Sequence, residues 1–141
     1  MPGPLILHGT SVALGGRGLL ILGPAGSGKS ALALQMIAQG AQLVADDRTC
    51  LERRGDAVML SCPPALSGLI EARGLGLLRA PAHPPCPLAL VADLGAPEAA
   101  RFPEPRRITL LDTAFPLVGG VAAAHFAAAL ALFLSHGRAE P

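Results

Sequence analysis

Aromatic side chains are nearly missing from this chain of 141 residues, which has no Trp, no Tyr and four Phe. Proteins that hold single-stranded nucleic acid stack its bases on aromatic rings, so this composition argues against such a platform. The formal net charge is only +1, which provides no general attraction to nucleic acid or to anionic lipid. We therefore expect neither nucleic acid nor a membrane as a partner.

Cysteine is scarce as well. Cys50, Cys62 and Cys86 are odd in number, lie far apart and form no Cys-x-x-Cys pair. This pattern argues against a disulfide framework and against a zinc site, and it fits a reducing compartment. The N-terminus has no basic segment followed by a long apolar run, so we infer no secretion signal and expect a cytoplasmic protein.

Charged residues make up 15% of the chain and apolar residues 51%. Such a composition at this length predicts one domain, residues 1–141, with a substantial core. The longest apolar run, residues 118–137, is rich in Ala and interrupted by His125. Its weak hydrophobicity predicts a buried or oligomer-facing helix in preference to a membrane span.

Hydrophobic periodicity predicts an α/β fold. Residues 5–23 indicate a hairpin, residues 30–39 a helix closed by Gly40, and residues 41–47 a short buried strand. The helix is expected to have one apolar face, formed by Ala31, Leu34, Ile37 and Ala38. Strand, turn, helix and strand form a βαβ-type unit, which predicts a parallel pairing of its strands.

The rest of the chain predicts more strands. Residues 50–63 indicate a hairpin that turns at Gly55 and Asp56, and residues 63–81 a short helix followed by a strand. Two further strands are expected, residues 88–94 and 108–112. A helical turn is expected between them, over Glu98 to Arg101.

The stretch LLILGPAGSGKSALALQMI contains the clearest chemical signal. Its centre matches the phosphate-loop pattern G-x-x-x-x-G-K-[ST] at every position: Gly23, Pro24, Ala25, Gly26, Ser27, Gly28, Lys29 and Ser30. Glycines let successive N–H groups point at phosphate oxygens, and the following helix adds its positive N-terminal end. Lys29 can reach the β- and γ-phosphates, and the Ser30 hydroxyl can ligate Mg²⁺. A chance glycine-rich turn is the alternative, which the apolar strand before the loop and the helical pattern after it disfavour.

Two carboxylates, Asp46 and Asp47, follow the next strand, at the ligand-binding edge of an open α/β sheet. Adjacent strand residues point to opposite faces, so only one of these carboxylates is expected to face the phosphates. The other would tie down neighbouring structure or reach a water of the metal. An ionised Asp near an acceptor hydroxyl can take its proton. The alternative to a functional role is that both aspartates simply lie in a solvated turn.

Four other residues with ionisable side chains give weaker signals. Glu71 and Arg73 lie in an apolar segment, where burying their charges would require partners such as Mg²⁺ and phosphate. The alternative is that both lie exposed on an edge strand. His8 and Arg101 are isolated in the sequence. A lone His is usually structural, while a mobile Arg can stabilise the charge of a transferring phosphoryl group.

Taken in order, LHGTSVAL, GPAGSGKS, LVADDR and IEARGLGLL resemble the catalytic domain of bacterial HPr kinase/phosphorylase over residues 5–80. The segment EARGLG is similar to the signature E-[IA]-R-G-[LI]-G of that family. The resemblance implies the phosphate-loop core of HPr kinase and phosphoenolpyruvate carboxykinase, a mixed sheet with a phosphate-loop helix. It also implies ATP and Mg²⁺, with inorganic phosphate as a co-substrate of the reverse reaction.

The resemblance further implies residue roles. His8, in the H-G pair, and Lys29 would be catalytic, and Asp47 would be the general base in phosphorylation and the general acid in reverse. Arg101, in AARFPEP, is the candidate for a catalytic arginine. The implied magnesium ligands are Ser30, Asp47 and Glu71.

The implied reaction is phosphorylation by ATP of a seryl hydroxyl on HPr, the phosphocarrier of the sugar phosphotransferase system. Phosphorolysis of phosphoseryl-HPr would be the reverse. The H-G strand begins near residue 8, so we expect a short, alphaproteobacterial-type form without the N-terminal domain of longer members. VGGVAAAHF has no arginine where the family carries a basic loop linked with phosphorolysis. Members are hexamers, which implies a homo-oligomer.

Two other functions use the same loop. A small-molecule kinase would need a helical lid with arginines, and none is evident in this sequence. A nucleotide-sensing module would bind ATP without transferring phosphate, and its bound state would be read by a partner.

Overall fold

The structure, a computed structural model, describes residues 3–139 as one mixed sheet of eight strands, a separate two-stranded hairpin and two helices. The strands are β1 (Leu5–Leu14), β2 (Arg17–Leu22), β3 (Gln42–Ala45), β4 (Arg48–Arg54), β5 (Ala57–Ser61), β6 (Leu69–Ala72), β7 (Gly76–Arg79), β8 (Cys86–Pro97), β9 (Arg106–Leu110) and β10 (Thr113–Gly120). The helices are α1 (Lys29–Ala38) and α2 (Phe126–His136), and a single 3₁₀ turn covers Pro64–Leu66.

Strands β1 and β8 each take part in two sets of pairings. The first half of β1 pairs with β4 and its second half with β2 and β3, all antiparallel. The start of β8 pairs antiparallel with β5, and its later part pairs parallel with β2 and β10. The pairings therefore close a ring of five strands, β1, β4, β5, β8 and β2.

Two clusters of buried apolar side chains occupy the two faces of these strands. One cluster contains residues from all five ring strands, among them Ala13, Leu20, Leu51, Val58, Leu60 and Val91. The other lies between the sheet and the helices and includes Leu19, Ile21, Met36, Leu43 and Leu130. Because β2 contributes to both clusters, its central residues 18–21 are buried, and Gly23 follows one residue after this buried stretch.

The helix expected over residues 30–39 is confirmed as α1. Gly40 has a φ of +104° and closes α1, with hydrogen bonds from Gly40 N–H to the Ile37 carbonyl and from Ala41 N–H to the Met36 carbonyl. The expected apolar face is right only for Leu34 and Ile37, which are half-buried against the core, whereas Ala31 and Ala38 are exposed. The fully buried side chains of this helix are those of Lys29, Leu32, Ala33 and Met36. Apolar residues of this helix occur on more than one of its faces, so their spacing alone could not predict which face packs on the sheet.

The expected parallel pairing within the βαβ-type unit is also wrong. Strands β2 and β3 run in the same direction, but β1 lies between them and pairs antiparallel with both. The parallel neighbour of β2 is β8, which begins at Cys86, sixty-four residues after β2 ends at Leu22. β1, the hairpin partner that precedes β2, occupies the position beside β2 that β3 would have in a simple βαβ unit.

The predicted hairpin at Gly55 and Asp56 is confirmed as β4 and β5. Residues 69–79 form a second hairpin, β6 and β7, where one strand was expected. The helical turn expected over Glu98 to Arg101 is wrong, since β8 continues to Pro97 and an irregular segment follows. The expected helix over 118–137 starts only at Phe126, because Val118 to Gly120 complete β10.

Within residues 3–139, neither helix has the length and hydrophobicity that crossing a bilayer would require.

Candidate active site

The phosphate loop connects β2 to α1 at the carboxyl end of β2. Gly28 directly precedes the helix and has a φ of +97°, a left-handed conformation that favours glycine, and its carbonyl accepts a hydrogen bond from Leu32 N–H at 2.9 Å. The first turn of α1 contains no acidic residue and has no side-chain cap. Its N–H groups and positive dipole end are therefore available to an anion.

The Lys29 side chain folds back into this loop. Its Nζ donates to the carbonyl oxygens of Gly23, at 2.7 Å, and Pro24, at 3.2 Å, and the residue is only 9% exposed. The ammonium group is thus held against the loop by neutral oxygens, and no carboxylate among residues 3–139 forms an ion pair with it. That is the position from which it can approach the oxygens of a bound polyphosphate.

Ser27 shows a second feature that fits a phosphate. Its Oγ is buried and has no hydrogen-bond partner among the described residues. Buried hydroxyls are normally paired, and an unpaired one in a loop of this type fits a ligand that brings its own acceptor oxygens. The loop therefore fits the phosphates of a nucleotide.

Asp46 connects three elements at the edge of the loop. Its Oδ1 accepts hydrogen bonds from the Ser30 hydroxyl at 2.6 Å and from the Thr10 hydroxyl at 3.0 Å. Its Oδ2 accepts one from Glu71 N–H at 3.0 Å. The carboxylate thus joins β1, α1 and β6 around the predicted metal-binding serine.

Asp47 points elsewhere, as expected for adjacent residues. Its φ of +65° is unusual for a residue other than glycine, and its backbone is held by two hydrogen bonds. Asp47 N–H donates to the Thr10 hydroxyl at 3.2 Å, and the Asp47 carbonyl accepts from Gly9 N–H at 3.0 Å. The side chain stands in solvent, 62% exposed, where a large acceptor can reach it.

His8 lies beside Asp47. The distance from His8 Nδ1 to Asp47 Oδ1 is 3.5 Å, and the His8 side chain is 76% exposed. The pair lies where β1 passes from β4 to β2, which explains why two residues that are distant in sequence meet here. The structure thus brings His8 and Asp47 together, whereas their catalytic roles stay predictions.

Glu71 joins the site through its main chain. It lies on β6, whose inner face packs through Ile70 on the core beside α1, and its own side chain is exposed on the outer face. The hydrogen bond from Glu71 N–H to Asp46 holds this strand next to Ser30. Arg73 follows in the exposed turn of the hairpin.

The Ser30 hydroxyl and the Asp46 carboxylate, which meet at 2.6 Å, would offer oxygen ligands to a magnesium ion, whereas the predicted role of Glu71 as a ligand stays a prediction. Within residues 3–139, no group of three His, Cys, Asp or Glu side chains is arranged to hold a metal alone. This set fits Mg²⁺, which commonly uses one or two carboxylates and takes its other ligands from water and substrate phosphates. The predicted role of Asp47 as a ligand stays a prediction.

Arg101 lies apart from these residues. Its guanidinium carbon is 5.1 Å from the centre of the Phe102 ring, and both residues are exposed. They line a groove of about 800 Å³ that is bounded by β9, β10 and α2, and none of residues 23–30 lines it. The assignment of Arg101 as the catalytic arginine stays a prediction.

The sequence singled out the loop and both aspartates. The residues alone left open which aspartate faces the phosphates, and the resemblance grouped Asp47 with Ser30 as magnesium ligands, whereas Asp46 is the aspartate that contacts Ser30. Thr10 was missed, although its hydroxyl links Asp46 and Asp47 and the residue is fully buried. No spacing marks a threonine for this role. Its only signal is its place in the segment LHGTSVAL, beside the H-G pair.

The fold and these contacts define a class, a mixed α/β protein whose phosphate loop lies beside a pair of carboxylates. Residues 4–82 match the sequence model of the HPr Serine kinase C-terminal domain. Because that match covers more than half of the chain, the chain belongs to this family, and the resemblance inferred from the sequence is confirmed.

Curated relatives agree with this assignment. The HPr kinase/phosphorylase of Burkholderia lata is 49% identical over 73 residues, which are 51% of this chain and 23% of the relative. That of Cupriavidus necator is 48% identical over 73 residues, with the same coverage of both chains. The chain therefore aligns with less than a quarter of the length of these relatives.

A solved structure extends the likeness beyond residue 82. The structure titled Hpr(Ser) kinase/phosphatase from Coxiella burnetii superposes with a TM-score of 0.79 and 22% identity, over 93% of this chain and 94% of that chain. At this identity the likeness shows the fold. The expected mixed α/β architecture is confirmed.

Proposed function

We propose that this domain transfers the γ-phosphoryl group of ATP to a seryl hydroxyl of an HPr-type phosphocarrier protein. One observation carries the proposal: the contact of Asp46 with Ser30 at 2.6 Å sets a paired carboxylate, Asp46 and Asp47, directly beside the phosphate loop. Family membership supports the substrate class, because relatives that match this chain are named HPr kinase/phosphorylase.

The chain binds ATP through its phosphate loop. N–H groups at the start of α1 donate to phosphate oxygens. Lys29 gives up its hydrogen bonds to the Gly23 and Pro24 carbonyls and contacts the β- and γ-phosphates instead. Ser30, with Asp46 and Glu71, would hold Mg²⁺, which when bound neutralises charge on the transferring phosphoryl group. These groups position the γ-phosphoryl at the edge of the sheet.

Asp47 acts as the general base. Its exposed carboxylate takes the proton of the seryl hydroxyl while the seryl oxygen bonds to the γ-phosphorus and the bond to the β–γ bridging oxygen breaks, releasing ADP. The backbone hydrogen bonds of Asp47 hold the carboxylate in place. His8, at 3.5 Å, orients it.

Phosphorolysis would use the same groups in reverse. An oxygen of inorganic phosphate attacks the phosphoserine phosphorus, and protonated Asp47 returns its proton to the seryl oxygen as that oxygen leaves. The segment that joins β10 to α2, residues 121–125, carries no arginine or lysine. We therefore expect the kinase direction to dominate. We also propose that the protein acts in the cytoplasm as a homo-oligomer.

The test is incubation of the full chain with Mg-ATP and purified HPr, followed by mass spectrometry of the carrier. We expect a gain of one phosphoryl group on a serine, and a loss of at least about 10²-fold in rate for Asp47→Asn. Asp56→Asn, in an exposed hairpin turn, is the matched control. ATP binding without transfer to HPr would overturn the proposal and favour a nucleotide-sensing module.

A further inference from the structure

The hairpin of β6 and β7 has one buried face and one exposed apolar face. On the inner face, Ile70 is 1% exposed and, with Leu78, belongs to the core beside α1. The outer side presents Leu77, which is 65% exposed, and the neighbouring turn presents Leu75, which is 78% exposed. Leu75 and Leu77 are two residues apart, and a local group of exposed apolar side chains is a candidate contact surface for another molecule.

The strand register sets this apolar surface beside the candidate site. Glu71 pairs directly with Leu77, so the two side chains share the outer face, with Cβ atoms about 5 Å apart. The main chain of Glu71 is bound to Asp46, and Asp46 is bound to Ser30. A molecule that reaches the Glu71 carboxylate therefore meets Leu77.

Two arginines flank the leucines. Arg79 is paired with Leu69 at one end of the hairpin, Arg73 lies in the turn at the other, and both are exposed. Ion pairs in the described part of the chain involve other arginines, Arg54 and Arg106. The outer face thus combines apolar side chains with positive charge, which complements a surface of apolar residues and carboxylates.

We propose that Leu75, Leu77, Arg73 and Arg79, here called the hairpin face, bind the protein acceptor beside its acceptor hydroxyl. The acceptor would contribute an apolar side chain to the leucines and carboxylates to the arginines. This inference rests on the proposed function, and it names the enzyme surface that selects a protein over a small molecule.

The acceptor is a better occupant than a second copy of this chain. Because Leu77 is the cross-strand neighbour of Glu71, a copy bound permanently on the hairpin face would also cover Glu71 and the approach to Ser30. A transient partner that must reach this site covers the same face only during transfer.

The experiment compares Leu77→Ser with Leu132→Ser in the full chain. Leu132 is the matched control because it is also 65% exposed, yet it lies on α2. We expect Leu77→Ser to raise KM for HPr by about 10-fold, with kcat and ATP affinity unchanged, and Leu132→Ser to change none of them. Leu75→Ser tests the same face independently.

An unchanged KM for both Leu77→Ser and Leu75→Ser, in proteins with wild-type circular dichroism, would overturn the inference. So would a change in sedimentation of Leu77→Ser without HPr, because the face would then be an interface between copies. Calorimetric titration of HPr into each variant, without ATP, separates this inference from the proposed function. Binding that Leu77→Ser weakens supports the hairpin face even if the wild type transfers no phosphate.

Discussion

The Asp46 carboxylate accepts a hydrogen bond from the Ser30 hydroxyl at 2.6 Å and, through its other oxygen, holds the main chain of Glu71 at 3.0 Å. Ser30 lies on α1, Glu71 lies on β6, and Asp46 lies in the turn between β3 and β4. A single buried threonine, Thr10, adds a further hydrogen bond to the same carboxylate. Asp46 is therefore the residue that connects the phosphate loop to the hairpin that carries Glu71.

Asp46→Asn is expected to lower the rate of phosphoryl transfer by about 10- to 100-fold. The amide keeps the size of the side chain but loses the charge that supports a cation, and one of its two polar atoms can no longer accept a hydrogen bond. Steady-state kinetics at varied Mg²⁺ should show a raised magnesium requirement. Asp56→Asn serves as the control, and an unchanged magnesium dependence would remove Asp46 from the metal site.

Ser27→Ala is expected to change stability and ATP affinity in opposite directions. Removal of a buried, unpaired hydroxyl should raise the free energy of unfolding by about 1 kcal/mol, because the folded state no longer bears its desolvation cost. The same change should weaken ATP binding by about 10-fold, since a hydrogen bond to a charged phosphate is lost. Urea unfolding and calorimetric titration measure the two effects.

Ser67→Ala, in an exposed turn, should alter neither quantity. If Ser27→Ala left ATP affinity at the wild-type value, Ser27 would have no part in phosphate binding.

Cys86 is expected to make the protein less stable in alkali. Burial raises the pKa of its thiol from 9.0 to about 11, and the side chain is only 1% exposed. Between these two values the unfolded thiol loses its proton while the folded thiol keeps it, so the unfolded state gains stability as pH rises. The free energy of unfolding should fall by about 2 kcal/mol from pH 9 to pH 11.

The chain has no Tyr and a single Lys, so few other groups titrate in this range; the Cys62 thiol, whose pKa is also raised, mainly by burial, is one of them. Urea unfolding of Cys86→Ala at several pH values should give a shallower decline across the same window. Equal slopes for the wild type and the variant would show that another group is responsible.

Arg101→Ala tests the predicted catalytic arginine. If Arg101 stabilises the transferring phosphoryl group, transfer should slow by about 10³-fold while the affinity for ATP changes little. The exposed contact with Phe102 gives no reason to expect a change in stability. Arg107→Ala, another exposed arginine in the same groove, is the control, and equal rates for both variants would reject the assignment.

Local patterns predicted the elements that depend on short-range chemistry. The phosphate loop, α1 with its Gly40 terminus and the β4–β5 hairpin follow from glycine conformation, capping and turn preferences, and all are present. The buried face of α1 and the neighbour of β2 could not be predicted in this way. Both depend on β1 and β8, which lie before and far after the motif in the chain.

The candidate site divides in the same manner. Sequence alone identified a phosphate loop, two carboxylates and a family, because these depend on residue types at short spacing. Tertiary structure alone showed that Asp46 contacts Ser30, that Thr10 links both aspartates and that Leu77 lies across from Glu71. Side-chain direction and strand register decide those contacts, and both are set by long-range pairing and packing of strands, which short-range patterns do not encode.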